Sequence, residues 1–204
     1  MLRPKQFYYD CLLVTFDWIC TTTCCRTGEL APLITKPGAE AVIPSLSHLK
    51  IGGTWFSKIH KSKRHVFLTE TLSQAVKGEI PYFQFWLTKT KANSTITKKI
   101  LITCCAGTQQ HPILIYLLNT LILRSTAGDP LDLSSPLFAI AIRKKNQTHF
   151  LPLSYSDIAS ADRVRTEALG NTDLPVRTHL RRKGGASDLY DAGVSLKDIK
   201  VCGH

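Results

Sequence analysis

Acidic side chains are scarce: 15 Asp and Glu stand against 26 Lys and Arg in 204 residues, for a formal net charge of +11. Two stretches, 41–69 and 80–128, contain no Asp or Glu. Such a surface suits polyanions, and nucleic acid or an acidic membrane surface are the leading partners. Long apolar runs are lacking as well. No segment approaches the roughly 20 residues that span a bilayer, and Pro112–Leu123 is interrupted by Asn119. Arg3 and Lys5 precede the apolar run Cys11–Phe16 as in a secretion signal, but Asp17 breaks it and no small-residue cleavage site follows. A soluble intracellular protein without a membrane partner is expected. Spaced cysteine pairs are missing too. The seven cysteines are odd in number and include the adjacent pairs Cys24–Cys25 and Cys104–Cys105, which argues against a secreted disulfide framework and against zinc. No metal or cofactor is expected. With 44% hydrophobic and 20% charged residues, disordered and low-complexity classes are excluded, and the length is enough for a substantial core.

Apolar residues at helical spacing from Phe7 to about Cys25 predict a first helix ending near Arg26-Thr27-Gly28. Short β-rich runs follow at Ala41–Ile43, Leu49–Ile51, His65–Thr69, Tyr82–Leu87 and Ile100–Thr103, punctuated by Gly, Pro, Ser and Asn, and predict a small antiparallel sheet. Ile113–Arg124 is apolar on nearly all sides and predicts a buried core helix stopped by Ala127-Gly128-Asp129-Pro130. Leu137–Ile142 fits a strand or a short buried turn. Ser154 with Asp157 resembles a capping box opening a helix to Leu169, before Gly170. His179–Ala192, closed by Gly193, and a short helix opened by Ser195 with Asp198 complete the chain. No repeat or dividing linker is visible, so one α+β domain over 1–204 is expected, mainly helical with its small antiparallel sheet near the N-terminal third.

Four basic sites occur in an informative order. Cys25-Arg26-Thr27-Gly28-Glu29-Leu30 resembles the "arginine, two residues, Glu-Leu" element of the tyrosine recombinase (phage integrase) family. Leu87-Thr88-Lys89-Thr90-Lys91 is similar to its lysine-bearing β-hairpin, and His179-Leu180-Arg181-Arg182-Lys183-Gly184-Gly185-Ala186-Ser187 to its His-x-x-Arg box. Asp198–His204 resembles the Leu-Gly-His stretch that follows. The likeness runs from about Tyr8 to His204 and comes nearest to integrases of eukaryotic, fungal-type transposons.

The resemblance implies DNA recombination or integration on double-stranded DNA through a 3′-phosphotyrosyl intermediate, homo-oligomers on the DNA, and a nuclear location if the origin is a eukaryotic mobile element. The family's nucleophilic tyrosine lies a few helical turns after the residue matched by His204, where this sequence stops. None of the six tyrosines matches that place, Tyr190 being read as a packing residue. The family's N-terminal clamp domain is not represented either. The chain is therefore expected to be inactive alone, and the alternative is a nonenzymatic DNA-binding module derived from a mobile element.

The chemistry is coherent with those residues. Phosphoryl transfer builds charge on two non-bridging oxygens, which the guanidinium forks of Arg26 and Arg182 can meet with bidentate bonds. Lys89, with Lys91 as the other candidate, can protonate the departing 5′-oxygen. His179 lies one turn before Arg182 and can handle the nucleophile's proton, while His204 donates to a phosphate oxygen. Glu29, one turn beyond Arg26, would orient the guanidinium or a neighbouring His. Lys58, Lys61, Lys63, Arg64, Lys91, Arg181 and Lys183 are the candidate DNA contacts. Plainer readings exist for each group: a surface ion pair for Arg26 and Glu29, edge charges for Lys89 and Lys91, a solvated basic run for 181–183, and a frayed terminus for His204.

Overall fold

The computed structural model describes residues 4–23, 25, 27–31, 44–87, 98–104, 111–145, 147–170 and 180–202. The fold is mainly helical α+β. Helix α1 (Pro4–Thr22) buries Tyr8, Cys11, Leu12, Thr15, Phe16, Ile19 and Cys20 along one face. It stops earlier than its periodicity predicts, at three successive threonines whose hydroxyls bond back to the carbonyls of Asp17, Trp18 and Ile19, residues of low helix propensity. Thr27 and Gly28 then start a separate turn, α2 (Thr27–Leu30), rather than closing α1.

The sheet has the order β2-β1-β3-β4, built from β1 (Lys50–Ile51), β2 (Thr54–Trp55), β3 (Tyr82–Leu87) and β4 (Lys98–Thr103), all antiparallel. Ile51, Phe83, Phe85, Leu87, Ile100 and Ile102 join the core, each contributing roughly 1.5–3 kcal/mol of burial. The strands expected at Leu49–Ile51, Tyr82–Leu87 and Ile100–Thr103 are present, and Ala41–Ile43 lies outside the described residues. The strand expected at His65–Thr69 is instead part of α3 (Arg64–Val76). Its buried positions are Arg64, Leu68, Thr71 and Ala75, a helical stripe disguised by one charged and one hydroxyl residue.

Helix α4 (His111–Thr126) is the core helix, packed between α1 and α3. Near its end the fully buried Arg124 donates through Nε to Asp129 Oδ2 (2.7 Å) and through Nη1 to the Pro136 carbonyl (2.7 Å). Nη2 approaches the same carboxylate oxygen at 2.7 Å as an ion contact without hydrogen-bond alignment. Asp129 Oδ1 in turn accepts from the Leu131 amide (2.9 Å), holding Leu131 at a positive φ of 50°.

The segment left open between strand and turn is a strand, β5 (Ala139–Lys144), and it pairs with an unanticipated β6 (Gln147–Pro152) as a two-stranded hairpin. Tyr8 and Tyr9 of α1 pin it by donating to the Ala139 and Ala141 carbonyls (2.5 and 2.9 Å). Helix α5 (Tyr155–Ala168) opens on the predicted Ser154–Asp157 capping box and is followed by Gly170 at φ +73°. Helix α6 (Leu180–Asp191) ends before Gly193 at φ +83°, and α7 (Leu196–Cys202) opens with Ser195 Oγ accepting from the Asp198 amide. No described helix is long and apolar enough to cross a membrane.

Candidate nucleic-acid interface

Helix α6 carries the basic run of the His-x-x-Arg box, and it packs along α1. The contact is made at backbone level. A Cβ built on Gly185 would overlap the Thr21 carbonyl oxygen and stand 2.8 Å from its carbon, so only glycine fits. Gly184 has nothing within 4 Å and carries no such constraint. Thr21 precedes Arg26 by five residues, and Gly185 follows Arg182 by three. Cys25 and Thr27, the neighbours of Arg26, are both buried, as is Leu30 at the end of α2. An ion pair between Asp17 and Arg165 fastens α5 to the same half of α1.

Two segments far apart in sequence, Arg26 and Arg182 being 156 positions from each other, are thus joined at the helices that carry or precede them. Arg181 and Arg182 lie in α6 and Glu29 in α2, with side chains outside the described set, while Lys183 is exposed. Arg26, Lys89, Lys91, His179 and His204 lie outside the described residues. Tyr190, expected to pack, is 58% exposed on α6, whose contact with α1 is made instead through the buried Gly185.

Lys58, Lys61 and Lys63 are exposed on two single-turn 3₁₀ segments, Phe56–Lys58 and Lys61–Lys63, ahead of α3. Lys61 is partly neutralised by Asp132 at 2.9 Å. Arg64 departs from its expected role as a DNA contact. Its guanidinium is buried, donates to the carbonyls of Leu131 (2.6 Å) and Ile59 (3.3 Å), and lies 5.4 Å from the Phe56 ring centroid. A charged group committed to internal carbonyls is unavailable to phosphate. This lysine corner and α6 sit on different neighbours, since α3 packs on α4, α4 on α1, and α1 on α6.

Arg143, Lys144 and Lys145, which are not among the candidate DNA contacts named above, are exposed where β5 turns into β6. The available signal was an acid-free run of three cations before Asn146. Weakened acids of another kind sit at the α1–hairpin contact. Burial lifts the Tyr8 phenol well above its ordinary range against the opposing Arg124 charge, and lifts Tyr9 in the same direction. Burial also pushes the Cys11 thiol up to about 11. These groups are held neutral and face the core, so they serve packing. Among the described residues no group of three or more His, Cys, Asp or Glu converges as a metal site. No family model, curated protein or solved structure matches the chain.

Proposed function

We propose that this chain binds duplex DNA through its phosphates and is built for the DNA breaking-and-rejoining chemistry of tyrosine recombinases. Arg26 and Arg182 clamp the non-bridging oxygens of one phosphate, where charge develops during transfer. Lys89, or Lys91 beside it, protonates the leaving 5′-oxygen, and His179 and His204 manage the remaining proton and oxygen contacts. Glu29 holds the clamp in orientation. These residues supply charge stabilisation and proton transfer, and an in-line oxygen nucleophile is a separate requirement.

The observation that carries the reading is the backbone contact of Gly185 with Thr21, which draws the helix of the His-x-x-Arg box against the helix leading to Arg26. A solvated basic run has no need of a glycine that admits no Cβ. The acid-poor stretches 41–69 and 80–128 support a polyanionic partner independently.

Fluorescence anisotropy on a labelled duplex tests the reading. Binding should be largely indifferent to sequence, and affinity should fall tenfold or more between 50 and 200 mM salt, as phosphate neutralisation releases counterions. Absence of binding at 50 mM salt, or binding independent of salt, would overturn it.

A further inference from the structure

The β5–β6 hairpin presents its charge differently from the rest of the surface. Its register runs from Ala139↔Pro152 to Lys144↔Gln147, and Lys145 follows directly on β5 at the turn. The base is buried at Ala139 and tethered to α1 by Tyr8 and Tyr9, whereas Arg143, Lys144, Lys145, Gln147, Thr148 and His149 are all exposed. The sequence from 133 to 156 contains no Asp or Glu, and no described carboxylate pairs with the three cations. Lys61, by contrast, has Asp132.

The backbone adds a second observation. Lys145 sits at φ +46°, the left-handed region that two-residue hairpin turns require and that Gly or Asn occupies at least cost. A lysine there retains backbone strain that fold stability alone would remove. Side chains alternate faces along a strand, so Arg143 and Lys144 project to opposite sides of the ribbon and Lys145 from its end. A flat anionic surface meets one face of such a ribbon. A duplex groove, walled by phosphates on both sides and wide enough for a two-stranded β-ribbon, meets all three charges.

We propose that the β5–β6 hairpin is a DNA-contacting ribbon whose tip enters a groove of the duplex and engages phosphates with Arg143, Lys144 and Lys145. This rests on the DNA-binding reading above and extends it to a surface outside the recombinase-like motifs. The hairpin base meets α1 at Tyr8 and α6 meets it at Thr21, and those thirteen residues of helix measure roughly 20 Å. Clamp and ribbon are therefore anchored at separate points along one rigid rod.

The test compares the wild-type chain with Arg143→Gln/Lys144→Gln/Lys145→Gln, with Lys145→Gly, and with Lys77→Gln, which removes one charge as Lys145→Gly does but from an exposed lysine elsewhere. Duplex affinity is measured from 50 to 200 mM salt, with thermal melting and with binding to phosphatidylserine vesicles. The triple variant should bind at least about tenfold more weakly at low salt, and its slope in log K against log salt should be shallower by about two to three. Lys145→Gly should melt no lower than wild type yet bind more weakly, which separates the contact from folding even if the triple variant is unstable. Lys77→Gln should match wild type. Wild-type affinity and slope in a folded triple variant would overturn the ribbon, leaving the cations as guards against edge pairing while the DNA reading stands. Loss of vesicle binding with duplex affinity unchanged would equally overturn it. A wild-type chain that binds no duplex would refute both readings.

Discussion

Gly185 lies against the carbonyl of Thr21 with no room for a Cβ, so α6 and α1 touch backbone to backbone. The neighbouring Gly184 faces open space. The two glycines of one dipeptide therefore have opposite meanings. Gly185→Ala should destabilise the chain by about 1–3 kcal/mol, because a methyl must be forced against a carbonyl, and should weaken duplex binding as α6 moves off α1. Gly184→Ala should stabilise by about 0.5–1 kcal/mol through helix propensity and leave binding intact. Urea unfolding with anisotropy on both variants checks the pair. Similar stabilities for the two would show that α6 does not approach α1 this closely.

The buried Arg124–Asp129 pair joins the end of α4 to the loop that leads into β5. Removing its carboxylate by Asp129→Ala strands a guanidinium in the core, which costs about 3–5 kcal/mol. A fall in melting temperature of about 10 °C or more is expected at this chain length. A drop of under about 2 °C would mean that water reaches Arg124.

Alkaline pH should weaken the fold from the α1 side. Burial raises the pKa of Tyr8, Tyr9 and Cys11, so the folded state favours their neutral forms. Their contribution is complete below the unfolded pKa values, about 9 for the thiol and about 10 for the phenols, and is lost as pH rises through the folded values. Each fully shifted group removes up to ~1.4 kcal/mol per pH unit in that window. Urea midpoints should fall steeply between about pH 9 and 11.5, and Tyr8→Phe should flatten the fall while lowering stability at pH 7 by the lost bond to Ala139. An unchanged slope in Tyr8→Phe would remove Tyr8 from the account.

Lys63 and Arg64 are adjacent but should fail in different ways. Arg64→Ala removes bonds to a buried and a half-buried carbonyl and packing on Phe56, and should cost about 2 kcal/mol of stability. Lys63→Ala should leave stability within about 0.5 kcal/mol and lower the salt dependence of DNA binding by about one phosphate. Melting curves and salt titrations of the two variants discriminate. Equal loss of affinity, with both chains equally stable, would return Arg64 to the surface.

Much of this fold was legible where one signal ruled a whole segment. The all-round apolar pattern of Ile113–Arg124 gave α4, and Ser154 with Asp157 gave the start of α5. Failures came where a polar residue stood in a core position or a turn used unfavourable residues. Arg64 and Thr71 hid the helical stripe of α3, so its apolar centre read as a strand. The β5–β6 hairpin has Lys145 at positive φ where Gly or Asn is the usual signal, and no local rule marks such a turn. For the candidate site, the order of motifs along the chain was visible in the sequence, but the reason for the second glycine was not. A steric demand on Gly185 exists only once Thr21, 164 positions earlier, is packed beside it.

Arg26 and Arg182 are proposed to grip one phosphate. A double-mutant cycle on duplex affinity tests it most directly, using Arg26→Ala, Arg182→Ala and the combined variant, with Lys183→Ala as the rim-charge comparison. Groups sharing a ligand are coupled, so the combined variant should lose less affinity than the product of the single losses, by a coupling of about 0.5–3 kcal/mol. Lys183→Ala should lose less than Arg182→Ala. Strict additivity of Arg26 with Arg182, together with equal losses for Arg182 and Lys183, would contradict a shared phosphate and leave only a diffuse basic surface.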